Sequence, residues 1–216
     1  MYSDPARAGF VTPIIDKLTE VGKLVKKQET DLIFSVKADW SEYGNRLKEY
    51  ERLLDENAEE PEFQSFFEEN AVFLEPKIMT AYPKISLGGE LIPDLLLVLH
   101  DSSYLFVEIE KPDVRLFENK GNPTAAFTHA QQQTRDYLKR VADNKEFLRS
   151  RQCPNLTGDN FKGLLVIGRS SDLDAKGNEK LDNINAEVRS RYEIKTFDKI
   201  LKENETMLGN IKKFTN

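Results

Sequence analysis

Five unbroken apolar residues, Leu95 to Leu99, then the turn sequence His100-Asp101-Ser102-Ser103, then a second apolar run from Tyr104 constrain this chain more than any other stretch. Such an apolar run suits a strand buried on both faces. The second strand, Tyr104 to Glu110, stays apolar until it meets two acids. Alternation puts Phe106, Glu108 and Glu110 on one face, with Val107, Ile109 and Lys111 on the other. Carboxylates side by side at the end of a buried strand repel one another and are costly to desolvate. A divalent cation offsets that cost, and Asp94, at the start of the neighbouring strand, is placed to supply a third oxygen ligand.

Around this hairpin the chain reads as α/β. Helical periodicity runs behind Pro13 to about Lys27 and again from Trp40 to about Leu54. The polar stretch Asp55–Pro61 reads as a linker, giving an N-terminal helical region over 1–55 and a core domain over 56–216. Within the core, Glu62–Leu74 reads as a phenylalanine-striped helix and Lys77–Leu87 as a strand interrupted at Pro83. After the hairpin come a helix over Thr128–Arg149, a doubly buried strand at Gly163–Gly168, a helix over Asn178–Arg191, a strand at Tyr192–Phe197 and a closing helix to Phe214. That order predicts a small mixed β-sheet covered by helices, with three antiparallel strands and a right-handed crossover.

Composition narrows the chemistry. One cysteine, Cys153, and two histidines exclude a disulfide framework and cysteine- or histidine-rich metal sites. No run is long enough to span a membrane, and the N-terminus lacks a secretory pattern, so no membrane partner and a cytoplasmic location are expected. The net charge of −6 argues at first against a nucleic-acid partner. Residues 42–75, however, hold eleven acids and three bases, which leaves the rest of the chain slightly basic and permits a basic groove there.

Two acids on one strand end and one on the next form the kind of hard-oxygen set that magnesium, or manganese, accepts. A metal there activates water and neutralises charge developing on a phosphodiester. Gln133 and Tyr137, four residues apart on the predicted crossover helix, share a face and point towards the sheet. Both can hydrogen-bond a phosphate or the ligating carboxylates.

Pro93-Asp94, thirteen intervening residues and Glu108-Ile109-Glu110 resemble the signature of the PD-(D/E)xK nuclease superfamily, and Gln133 and Tyr137 resemble the QxxxY motif of its RecB-like branch. Residues 62–150 resemble more closely the nuclease domain of the Shedu anti-phage defence proteins, in FQSFFEEN, PDLLL, VEIEKP and THAQQQTRDYL. The resemblance implies a restriction-endonuclease-like core and a magnesium-dependent endodeoxyribonuclease acting on double-stranded phage DNA. Carried over by position, Asp94 and Glu108 bind metal, Gln133 and Tyr137 support the site, and Glu62 matches an upstream acid. Glu110 occupies the position usually held by lysine, where it serves as a further ligand or a general base. Lys111 is adjacent, but reaches that face only if the strand bulges.

Other readings of the same residues remain open. Glu108 and Glu110 could lie on an exposed face and pair with lysines, and Tyr137 could simply be core. A catalytically silent binding or assembly module on the same fold keeps the acids, and an interaction protein could use the acidic 42–75 segment to dock a basic partner. The two N-terminal helices cannot bury their apolar stripes on each other alone, and Shedu-like proteins are oligomers, so a homo-oligomer is expected.

Overall fold

The computed structural model describes residues 40–88, 91–119 and 121–215. The helix expected over 13–27 and the apolar run at 32–36 lie outside the described residues. The chain divides into two compact units, Met1–Asn45 and Arg46–Asn216. That division falls ten residues before the expected 55/56 boundary.

Helix α1 covers residues 40–55. Its residues from Arg46 onward belong to the larger unit, where Leu47, Tyr50, Leu53 and Leu54 are buried. Tyr50 explains why. Its ring meets Phe63, Phe66, Phe67 and Phe73, and its hydroxyl donates to the Phe197 carbonyl at 3.0 Å. The stretch read as a linker is a tight turn: Asn57 takes φ 50°, and the Arg169 guanidinium donates to the Leu54 carbonyl at 2.5 Å and to Asn57 Oδ1 at 3.0 Å.

The larger unit continues with α2 (Glu60–Glu69), β1 (Ile78–Pro83), β2 (Leu95–Leu99), β3 (Tyr104–Ile109), α3 (Ala125–Asp143), α4 (Lys145–Arg149), β4 (Phe161–Val166), α5 (Ala175–Val188), β5 (Tyr192–Lys195) and α6 (Phe197–Thr215). The five strands lie in sequence order; β1, β2 and β3 are antiparallel, and β3, β4 and β5 are parallel. The α/β expectation, a small mixed sheet flanked by helices, is met. The hairpin places Leu95 opposite Val107 and Leu97 opposite Leu105.

Alternation then assigns the two faces. Leu96, Tyr104, Phe106, Leu165, Ile167 and Ile194 pack with Phe127, Ala130, Tyr137, Leu138 and Val141 of α3 in one apolar cluster. Leu95, Leu97, Val107, Ile109, Leu164 and Val166 alternate with these and are equally buried. α3 comes close to the sheet at Gly163 of β4. A Cβ there would lie 2.9 Å from Thr134 Cγ2 and 2.9 Å from Tyr192 Cβ, so only glycine fits without displacing the helix.

The single long helix expected over Thr128–Arg149 starts earlier and breaks once. Thr124 caps it, its hydroxyl accepting from the Phe127 N–H at 3.2 Å. Asn144 interrupts it, donating its side-chain amide to the Leu87 carbonyl at 3.2 Å.

Candidate active site

The carboxyl end of β3 carries the acids. Glu108, the penultimate residue of β3, projects towards α3, and Gln133 on the facing turn of that helix donates its side-chain amide to Glu108 Oε1. The same Gln133 amide nitrogen lies 2.7 Å from the Tyr137 hydroxyl, which in turn donates to the Ile92 carbonyl at 3.3 Å. The expected i,i+4 pair therefore does meet the expected strand. Glu108 is buried, and its second oxygen, Oε2, has no hydrogen-bond partner.

Asp94 enters from the other strand. It lies just before β2, half-buried, and its Oδ2 accepts the Ile109 backbone N–H at 2.8 Å. That bond crosses the hairpin at the level of Glu108, so Pro93-Asp94 is locked to the end of β3 by backbone geometry. Burial lifts the Asp94 carboxyl to about 6, opposed by the Ile109 N–H and assisted by Glu60. Burial also lifts Glu108 to about 9, with the Asp94 charge adding to the rise. Two carboxyls held together with such different proton affinities share the load unequally. At neutral pH, without a cation, Glu108 keeps a proton and Asp94 is mostly ionised.

Glu110 lies just past the end of β3, where its backbone N–H still pairs with the Val166 carbonyl at 2.8 Å. Burial and the negative charge of Glu60 raise its carboxyl, while His129 on α3 lowers it. Lys111 turns the other way, as alternation requires, and its amine forms an ion pair with Glu59 at 3.0 Å. No bulge carries it back to the acids.

Glu62 is used elsewhere. Its carboxylate accepts the Glu59 backbone N–H at 2.9 Å, the reach-back half of a capping box at the start of α2. The acid of this helix whose charge is felt by Asp94, Glu108 and Glu110 is Glu60, two residues earlier. Sequence reasoning passed over Glu60 because the helix was started two residues too late; Pro61 in a first-turn position was the available signal.

Among the described residues, no three acidic, histidine or cysteine side chains are grouped to hold a metal ion. The expected convergence of Asp94, Glu108 and Glu110 on one cation-sized space is thus not present in this arrangement. Asp94 and Glu108 are the closely coupled pair, the Asp94 charge being the largest charge effect on Glu108. That pair still suits magnesium, which commonly takes one or two carboxylates and fills its remaining positions with water and phosphate oxygens. The buried, unpartnered Oε2 of Glu108 is the atom that such an ion would satisfy.

None of the described helices is long and apolar enough to cross a membrane. Residues 57–201 match the family model described as Shedu protein SduA, C-terminal. A search of curated proteins returns no match to the chain.

Proposed function

The chain belongs to the Shedu SduA C-terminal family, which implies a role in anti-phage defence, and from that premise we propose that it is a magnesium-dependent endonuclease of the PD-(D/E)xK type acting on double-stranded phage DNA in the cytoplasm. The observation that carries the reading is the buried Glu108 beside Asp94, with one oxygen held by Gln133 and the other bare.

Hydrolysis adds water across one P–O ester bond: a water oxygen bonds to phosphorus, the ester oxygen leaves, and the water proton must go to a base. Asp94 and Glu108 would hold the cation, which when bound supplies Lewis acidity towards water and phosphate. Gln133 orients Glu108 through its amide, and Tyr137 restrains Gln133 while anchored to the Ile92 carbonyl. Glu110, with its raised proton affinity, is the residue in reach of the strand end suited to accept a proton. Lys111, bound to Glu59, stays outside this machinery. The active species is a homo-oligomer, a state that light scattering reads directly against the 24.8 kDa of one chain.

One observation favours a second reading, a catalytically silent nucleic-acid-binding or assembly module. The lysine usual in such sites is replaced by Glu110, and the neighbouring Lys111 is ion-paired away. A plasmid-nicking assay with and without magnesium separates the two. Magnesium-dependent nicking by the wild type, abolished in Glu108→Ala and Asp94→Ala, supports the hydrolase. Absence of nicking by a folded wild type, or equal nicking by the variants, overturns it.

A further inference from the structure

A cavity of about 580 Å³ opens between the loop Val114–Gly121 and the first turns of α5. It lies at the same end of the sheet as the candidate acids. The loop leaves β3 directly after Lys111, and Arg169, on the other wall, follows Gly168 at the end of β4. Gly168 fastens the two walls: it has φ 63°, its N–H donates to the Lys111 carbonyl at 3.1 Å, and a Cβ there would stand 2.7 Å from the Val114 carbonyl oxygen.

Four cations line this cavity: Arg115, Arg169, Lys176 and Lys180. Among the described residues none of them forms an ion pair. Three are positioned by neutral acceptors. Arg115 donates to Asn119 Oδ1 at 2.5 Å, Lys180 to the Gly121 carbonyl at 2.8 Å, and Arg169 to the Leu54 carbonyl and Asn57. Bonds of that kind orient a cation and leave its charge uncancelled. The wall also carries three carboxylates, Glu118, Asp172 and Asp174, the last accepting the Gly177 N–H at 2.7 Å as it caps α5. Four cations against three carboxylates leave this wall net positive in a chain of net charge −6, a balance that favours an anion.

We propose that this cavity holds a backbone phosphate of a polynucleotide and so sets where the strand crosses the Asp94–Glu108 site. The proposal rests on the reading that the protein acts on nucleic acid. A polymer fits better than a free anion because the cavity opens at the same end of the sheet as the candidate acids, so that one strand can run past both. Phosphate contacts of this kind position a duplex without reading its sequence.

The test is duplex binding by the full chain, followed by fluorescence anisotropy of a labelled duplex in calcium, with a double variant Lys176→Glu/Lys180→Glu. The control is Lys139→Glu/Arg140→Glu, an equal charge change on the exposed side of α3. The cavity variant should weaken binding about tenfold and lower the salt dependence by roughly one to two ions released, with a much smaller effect of the control. Should the double variant unfold, Lys176→Ala, which alters an exposed side chain alone, carries the same comparison. Equal losses in both variants would mean that net charge alone matters, and no loss would mean that the cavity is not a contact; either overturns the proposal. Saturable binding of inorganic phosphate that displaces the duplex would instead make it a small-anion site and overturn the polymer reading. Nicking is scored separately: a wild type that binds through the cavity but never cuts sinks the hydrolase and leaves this inference standing.

Discussion

Gln133 holds one oxygen of Glu108 and leaves the other bare. A carboxylate half-restrained in this way has one direction left in which to gain a partner. The amide fixes the rotamer from a helix, and the strand fixes the backbone, so the bare oxygen is held in one place while buried.

Removing that restraint should be felt in function before it is felt in stability. Gln133→Leu is expected to lower magnesium-dependent cleavage by about 10- to 100-fold, the usual effect of deleting a group that orients a ligand. Tyr137→Phe, which leaves the ring in the core but removes its polar contacts, should cost less. Single-turnover nicking and metal titration on both variants check this order. A Gln133→Leu enzyme as fast as wild type would remove the glutamine from the machinery.

The pH dependence of stability has a definite sign. Glu108 has a native proton affinity raised to about 9 against an unfolded value near 4.5. Its contribution is fully present below the unfolded value, because both states are then protonated, and is lost as pH climbs towards 9. Across that window the metal-free fold loses stability steadily as pH rises. Asp94 acts in the same direction over a narrower span, ending near 6. Glu108→Gln should therefore melt higher than wild type at pH 8, by several degrees, and about equally at pH 4.5. Thermal melts in chelator at both values decide it.

Magnesium should reverse that loss. Binding must displace the Glu108 proton, so affinity rises with pH towards 9, and the magnesium-induced increase in Tm is larger at pH 8 than at pH 6. Asp94→Ala and Glu108→Ala should show no such increase. Identical increases in all three proteins would place the ion elsewhere.

Two glutamates two residues apart should separate cleanly. Glu62→Gln removes a charge from a capping interaction and should lower stability by about 1 kcal/mol or less while sparing cleavage. Glu60→Gln should leave the fold intact, make Glu108 easier to ionise and change the pH profile of cleavage, because its charge acts on three acids of the site. Calorimetry and pH–rate curves on the pair give the comparison.

The hairpin and its acids were legible because a strand buried on both faces leaves alternation no freedom. Once Phe106 faces the core, Glu108 must follow it and Lys111 must turn away. Other features were decided by partners remote in sequence. The turn after α1 looked like a linker because the Arg169 that holds it lies 115 residues beyond Leu54. Asn144 breaks the crossover helix by bonding to Leu87, 57 residues earlier. The three acids expected from spacing do not gather into one metal-holding group among the described residues, because spacing records faces and not distances. The cations at this end of the sheet were invisible for a related reason: Arg115, Arg169, Lys176 and Lys180 are scattered in the sequence and meet only when β3 and β4 lie side by side.

The absence of one methyl group in the middle of β4 has a reach longer than its size suggests. At Gly163 the helix rests on bare backbone through Thr134, the residue next to Gln133. The depth at which α3 seats is thus the reach of the amide that meets Glu108. Alanine at that spot would act like a shim under a lever, lifting the far end by tenths of an ångström while every acid kept its place. Tolerance to substitution in this protein is therefore set not only at the charged end of the sheet but on its floor, where a hydrogen atom serves as the spacer.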